Sequence, residues 1–215
     1  MPTELEVAAL YANGWNSQQE SDSFERNLVD NAPADTGLVL GFTAIGDLVQ
    51  KVDALITIDP DHPCLKSLEI WAHGNPGLID SLTAAGAATW GPQLMTLNWC
   101  DEASIYLAGC NSGLQLSSRY PASRRGPVAK SLADSMPYDA NNFKVHLTVY
   151  GSNGYLSGNH TLGNERTIKS FSTTSWHAGW QIPPFWRETT NWPAYAGSQA
   201  AQGNQVWIPF KNGNW

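Results

Sequence analysis

Short apolar runs alternate with helix-period segments through the first 150 residues, and that alternation limits the chain to few architectures. Residues 5–12, Leu-Glu-Val-Ala-Ala-Leu-Tyr-Ala, read as a first buried strand, followed by an Asn13-Gly14 turn. Ser17 and Glu20 match the Ser-x-x-Glu capping box, and Phe24 and Leu28 give the helix behind it a buried stripe. Gly37 restarts an apolar run, Leu38-Val39-Leu40-Gly41-Phe42, which predicts a second strand. Asp47 is expected to cap a helix whose apolar positions are Leu48, Val49, Val52, Leu55 and Ile56, and Asp59-Pro60 to end it. Residues 66–72 predict a third strand, with a small-residue loop over about 80–90. Pro92 opens a short helix through Leu97, and residues 103–108 predict a fourth strand. Pro127 suits the first position of a helix lined by Val128, Leu132 and Met136. Phe143 to Tyr150 alternates as a fifth strand ending at Gly151.

This β-α-β-α order predicts an α/β fold, a three-layer sandwich with a mostly parallel central sheet. The rhythm stops near residue 151. The expected organisation is a single domain over 1–215, with an α/β core at 1–151 and an extension at 152–215 packed on it. The extension holds six of the ten Trp, at 176, 180, 186, 192, 207 and 215, and is expected to be a hairpin-and-loop lobe.

Charge excludes one class of partner. Twelve Lys and Arg against nineteen Asp and Glu give a net charge of -7, which opposes non-specific nucleic-acid binding. The three cysteines, Cys64, Cys100 and Cys110, are no disulfide framework, although one Cys64–Cys100 bridge is left open. The start, Met1-Pro2-Thr3-Glu4, lacks a leader-like apolar core, and no run reaches the roughly 20 apolar residues of a membrane span. The expectation is a protein without a membrane partner, cytoplasmic or exported without a cleaved signal peptide.

Two strand ends carry the chemistry. Ile70-Trp71-Ala72-His73-Gly74 and Ile105-Tyr106-Leu107-Ala108-Gly109-Cys110 each end an apolar run in a reactive side chain beside glycine. If the strands are parallel neighbours, His73 and Cys110 leave the same edge of the sheet, where α/β folds collect their ligands. Strands lie about 4.8 Å apart, within reach of a thiol and an imidazole. An imidazole beside a thiol favours the nucleophilic thiolate. Both residues also suit plain packing, since a lone His at a strand end and a free Cys are commonly structural. The turn Gly109-Cys110-Asn111-Ser112-Gly113 suits an oxyanion hole, with the N–H groups of Cys110 and Gly74 as donors.

A strand ending in His-Gly and a later strand ending in Cys-x-Ser-Gly resemble the caspase-like cysteine peptidases. That group includes caspases, metacaspases, legumains, gingipains and self-cleaving domains of large bacterial toxins. The matching stretches are Leu68 to Gly74 and Ala103 to Gly113, within an architecture spanning about residues 5–151. The resemblance implies a cysteine endopeptidase or self-processing protease, with Cys110 as nucleophile and His73 as general base and acid. It needs no cofactor and no metal. Asn13, Ala108, Asn111 and Ser152 are the positions expected around a peptide or protein substrate. The sequence departs from the pattern there. Ala108 stands where metacaspase-like members carry an acid, and Asn111 where caspase-like members carry an Arg. The expectation is a neutral or small P1 side chain.

Other chemistries lack their partners. His73-Gly74-Asn75-Pro76-Gly77 is similar to an esterase oxyanion loop, but no Gly-x-Ser-x-Gly elbow accompanies it. The five His, at 62, 73, 146, 160 and 177, do not cluster at zinc-ligand spacing. Asp101 and Glu102 are expected in a solvated turn, and Arg119, Arg124 and Arg125 in an exposed, protease-sensitive loop. Two rival readings stay open: a caspase-like interaction module without peptidase activity, and a carbohydrate- or peptide-binding protein using Trp180, Trp186 and Trp192.

Overall fold

The computed structural model describes residues 3–13, 18–32, 34–61, 63–75, 77–109, 112–113, 127–136, 145–152 and 207–212. In chain order the elements begin with β1 (Glu4–Tyr11), α1 (Gln18–Asn31), β2 (Thr36–Phe42), α2 (Ile45–Ile58) and β3 (Cys64–Trp71). Three two-residue strands follow: β4 (Gly74–Asn75), β5 (Leu78–Ile79) and β6 (Leu82–Thr83). The remainder are α3 (Ala87–Leu94), β7 (Trp99–Ala108), α4 (Val128–Ser135), β8 (His146–Ser152) and β9 (Trp207–Lys211).

Six strands form one sheet in the order β2-β1-β3-β7-β8-β9. The first five run parallel, and β9 lies antiparallel to β8 at the edge. The fold is thus an α/β sandwich around a mostly parallel sheet. Side chains alternate between the two faces of each strand. Val7, Ala9, Leu68, Ile70, Ile105 and Leu107 join a large core cluster with Leu48 and Val52 of α2, Leu94 of α3 and Leu132 of α4. Ala8, Leu10, Trp71 and Ala108 face the other way and meet Leu28 of α1, with Phe24 edge-on to Trp71 at 6.1 Å. Helices therefore cover both faces.

Several local expectations shift. α2 begins at Ile45, and Asp47 sits in its first turn, where its carboxylate accepts from the Thr43 N–H at 2.9 Å. It reaches back to the chain before the helix instead of standing at the cap. Pro92 lies inside α3 rather than opening it. The helix is only eight residues long, so the missing proline N–H removes little of its bonding. Asp101 and Glu102 are exposed but belong to β7, not to a turn. They lie where β7 slips register against β3, between the Leu65–Trp99 and Ser67–Ser104 pairs. That bulge sits beside a Cys64–Cys100 disulfide, which ties the starts of β3 and β7 together. Of the Trp-rich extension, the described part is β9 and Asn212, whose side chain accepts from Leu147 N–H and donates to Val145 C=O. The lobe expected over 153–206 and the loop with Arg119, Arg124 and Arg125 lie outside the described residues.

Candidate functional site

The parallel strands β1, β3, β7 and β8 deliver their carboxyl ends to one rim of the sheet. Chain order reverses between β1 and β3, because β1 connects outward to β2 and the chain then crosses back to β3. Such switch points are where open α/β sheets bind ligands. Asn13 follows β1 and is exposed, and His73 follows β3 and is half-buried. Ser152 is the last residue of β8, paired with Trp207.

The register aligns the two strand ends. Trp71 pairs with Ala108, so His73 and Cys110 each stand two positions beyond a paired residue. The next step out keeps this alignment. A Cβ built on Gly109 would come within 3.1 Å of the Ala72 carbonyl oxygen and 2.8 Å of Ile79. Gly109 therefore lets the end of β7 lie directly against the end of β3. Cys110 and Asn111 themselves lie outside the described residues. Ala108 is buried and packs its methyl beside Trp71 and Leu28.

What flanks the cysteine is tied on both sides. Ser112 donates its amide to the Gly109 carbonyl at 3.3 Å and its hydroxyl to the Leu107 carbonyl at 2.7 Å. The Ser112 carbonyl accepts from Ala129 N–H at the start of α4. Ser112 is fully buried, so these bonds replace the water it has lost. Gly113 lies against Gly151 backbone to backbone. The chain on either side of Cys110 is anchored to β7, β8 and α4.

A small hairpin, overlapping the start of the loop expected over about 80–90, braces the histidine. β4 pairs with β5 through Gly74–Ile79 and Asn75–Leu78, and β5 pairs with β6. Asp80 N–H donates to the His73 carbonyl at 2.7 Å. Bonded and non-bonded pairs alternate in an antiparallel ribbon. Gly74 and Ile79 therefore form the non-bonded pair, and the Gly74 N–H turns away from β5. The signal for the hairpin was available: Asp80-Ser81 is a two-residue polar break between Leu78-Ile79 and Leu82-Thr83. Tyr11 at the end of β1 meets Ser81 hydroxyl to hydroxyl at 2.8 Å, which pins the hairpin turn across the rim. Burial raises the Asp80 carboxyl above its ordinary pKa, while the Ser81 backbone N–H and the charge of His73 pull it back down.

A cleft of about 550 Å³ lies at the opposite edge. Glu4, Lys66, Asn98, Asp101 and Glu102 line it around the disulfide. It shares no residue with the His73 rim. Among the described residues no helix is long and apolar enough to cross a membrane, and no three His, Cys, Asp or Glu gather as a metal site. Compared with known protein families, curated proteins and solved structures, the chain finds no match in any of the three.

Proposed function

We propose that the protein is a caspase-like cysteine endopeptidase or self-processing protease with a Cys110/His73 dyad. The observation that carries this reading is the Trp71–Ala108 register, which sets His73 and Cys110 at equal offsets beyond adjacent strands. Paired positions on neighbouring parallel strands lie about 5 Å apart, and the last such pair here is followed by His73 and Cys110 at equal sequence offsets, which supports a thiol–imidazole pairing.

The chemistry runs in two halves. Cys110 gives its proton to His73, and the thiolate sulfur attacks the scissile carbonyl carbon. The oxyanion that forms takes N–H groups from Gly74 and Cys110. The turn of Gly74 N–H away from β5 supports this role for it. The C–N bond then breaks, the amine leaves with the proton held by His73, and a thioester remains on Cys110. Water loses a proton to His73, attacks the thioester and regenerates the thiol. No cofactor takes part. The neutral residues Asn13, Asn111 and Ser152 favour a peptide substrate with a neutral or small P1 side chain, whereas Ala108, buried against Trp71 and Leu28, is no substrate contact. Structural disulfides persist in oxidising compartments, so the Cys64–Cys100 bridge favours export over a cytoplasmic location.

The bridge also makes the test clean, because it leaves Cys110 as the remaining cysteine of three. Iodoacetamide is expected to label Cys110 in the folded protein, and His73→Ala to slow that labelling at least about tenfold, as loss of an activating base does. Cleavage of a peptide library is expected to tolerate neutral P1 residues. An inert thiol together with an uncut library overturns the reading and leaves the interaction module as the better one. A strict demand for P1 Arg or Asp overturns the neutral-P1 assignment.

A further inference from the structure

We propose that the outer edge of β2, with the flanks of α1 and α2 beside it, is an interface for a second copy of this chain, the two β2 strands pairing antiparallel across a two-fold axis. The inference is independent of the Cys110/His73 reading. It rests on where the exposed apolar surface lies.

β2 is the terminal strand of its sheet and, among the described residues, pairs with β1 alone. Such an edge presents a row of backbone N–H and C=O groups, which proteins usually guard with charge or proline. The opposite edge is guarded in this way. Asn212 N–H bonds the Leu147 carbonyl, so the alternation of the β8–β9 ladder turns the Pro209 nitrogen outward, where it has no N–H to offer. Lys211 is exposed two residues further on. β2 reads Thr-Gly-Leu-Val-Leu-Gly-Phe, with neither charge nor proline. Its one break is Gly41, at φ +82° beside the register shift with β1, and Lys51 Nζ donates to the Gly41 carbonyl at 2.8 Å. Thr36 to Leu40 is therefore the span that can pair.

Three large apolar side chains stand exposed among the described residues: Val29 at 50%, Leu40 at 40% and Ile58 at 81%. One belongs to each of α1, β2 and α2, and the local geometry brings all three to the same edge. Lys51 and Leu55 of α2 lie along β2, the first at the Gly41 carbonyl and the second 3.0 Å from where a Cβ on Gly37 would stand. Ile58 is the next position on that helical face, at the spacing i, i+4, i+7. Val29 follows Leu28, which packs on the sheet. In a right-handed β-α-β crossover, the residue after the one facing the sheet turns toward the second strand, here β2.

Two features select a second copy as the occupant. An uncharged strand laid antiparallel on itself sets no like charges opposite one another. The guarded β9 edge also stops β2 from pairing head-to-tail with β9, which leaves the two-fold arrangement, and that closes at a dimer. The size is adequate. A seven-residue strand is about 23 Å long and the helix–sheet–helix layers about 30 Å thick, so the edge offers about 700 Å² per partner, near the roughly 800 Å² of a standard interface.

Sedimentation velocity of the full-length protein, from about 1 to 100 µM, tests this over the range where an interface of this size associates. The expected species at the upper end has twice the 23.4 kDa chain mass. Leu40→Lys and Ile58→Lys are each expected to raise the dimer Kd at least about tenfold while the circular dichroism spectrum stays that of the parent. Each substitution moves the net charge of -7 toward zero, which by itself favours association, so the loss reports on the edge. Ile58 is too exposed for its replacement to disturb packing, so that variant decides the matter where Leu40→Lys fails to fold. A protein that stays monomeric at the highest concentration overturns the proposal, the outcome expected if the chain's own extension covers this edge. An unchanged Kd in folded Leu40→Lys, or in Ile58→Lys where Leu40→Lys does not fold, overturns it as well. Species that grow beyond the dimer with concentration overturn the two-fold closure.

Discussion

Gly113 and Gly151 occupy each other's side-chain space. A Cβ on Gly113 would sit 2.6 Å from the Gly151 carbonyl carbon, and one on Gly151 would sit 2.7 Å from the Ala129 methyl. These neighbours are backbone or the stub of a helix residue, so neither can swing aside. Gly109 differs in degree, because its missing Cβ would meet side-chain carbons of Ile79 first, at 2.8 and 3.0 Å, and the Ala72 carbonyl oxygen only at 3.1 Å. Gly113→Ala is therefore expected to cost about 3 kcal/mol, the upper part of the overpacking range, and Gly109→Ala clearly less. Urea unfolding of the two variants checks the order; equal midpoints would contradict it. The Gly-rich run around Cys110 was legible as a tight turn from composition. That Gly113 serves close approach to β8 was not, because the partner glycine is far along the chain. Ala108 shows the same limit. The sequence places it two residues before Cys110, but its packing against Trp71 and Leu28 comes from two other elements.

The helices were legible as elements, and their ends were not. The apolar stripe Leu48, Val52 and Ile56 of α2 is buried as its spacing requires. Its start moved because Asp47 bonds the Thr43 N–H from within the first turn. That bond, with Lys51 beside it at 3.2 Å, lowers the Asp47 pKa from 3.8. A carboxyl whose folded pKa lies below its unfolded one adds stability above the unfolded value, and loses it as pH falls through the folded value. Asp47→Ala is thus expected to be less stable than the parent at pH 7, and the gap to close as the pH drops below about 3.8. Paired denaturation curves at pH 7 and pH 3 decide it; a gap of constant size would rule out the carboxylate as its source. The β4–β5–β6 hairpin escaped because two-residue strands carry no periodicity to read. Only its Asp80-Ser81 break marks it.

For the whole molecule, the disulfide and the proposed site lie at opposite rims of one sheet. Cys64 and Cys100 start β3 and β7, while His73 follows β3 and Cys110 stands just past β7. The bridge spans 36 residues of sequence, a closure whose loss costs about 4 kcal/mol on chain-entropy grounds. Cys64→Ser with Cys100→Ser is expected to lower Tm by about 10 °C, read by calorimetry. Labelling of Cys110 is expected to persist in that variant well below its Tm, because the bridge and the candidate site share no residue. By itself the sequence determined the layers: each segment's hydrophobic period reports its own buried face, and β-α alternation makes a parallel sheet the economical solution. Periodicity is local, however, and carries no record of which strand lies beside which. Only the tertiary structure decided that β3 adjoins β7 in the Trp71–Ala108 register, that Cys64 meets Cys100, and that the Asp80 N–H bonds the His73 carbonyl. Those are long-range pairings, set by how whole elements pack and cross, and no short stretch of residues contains them.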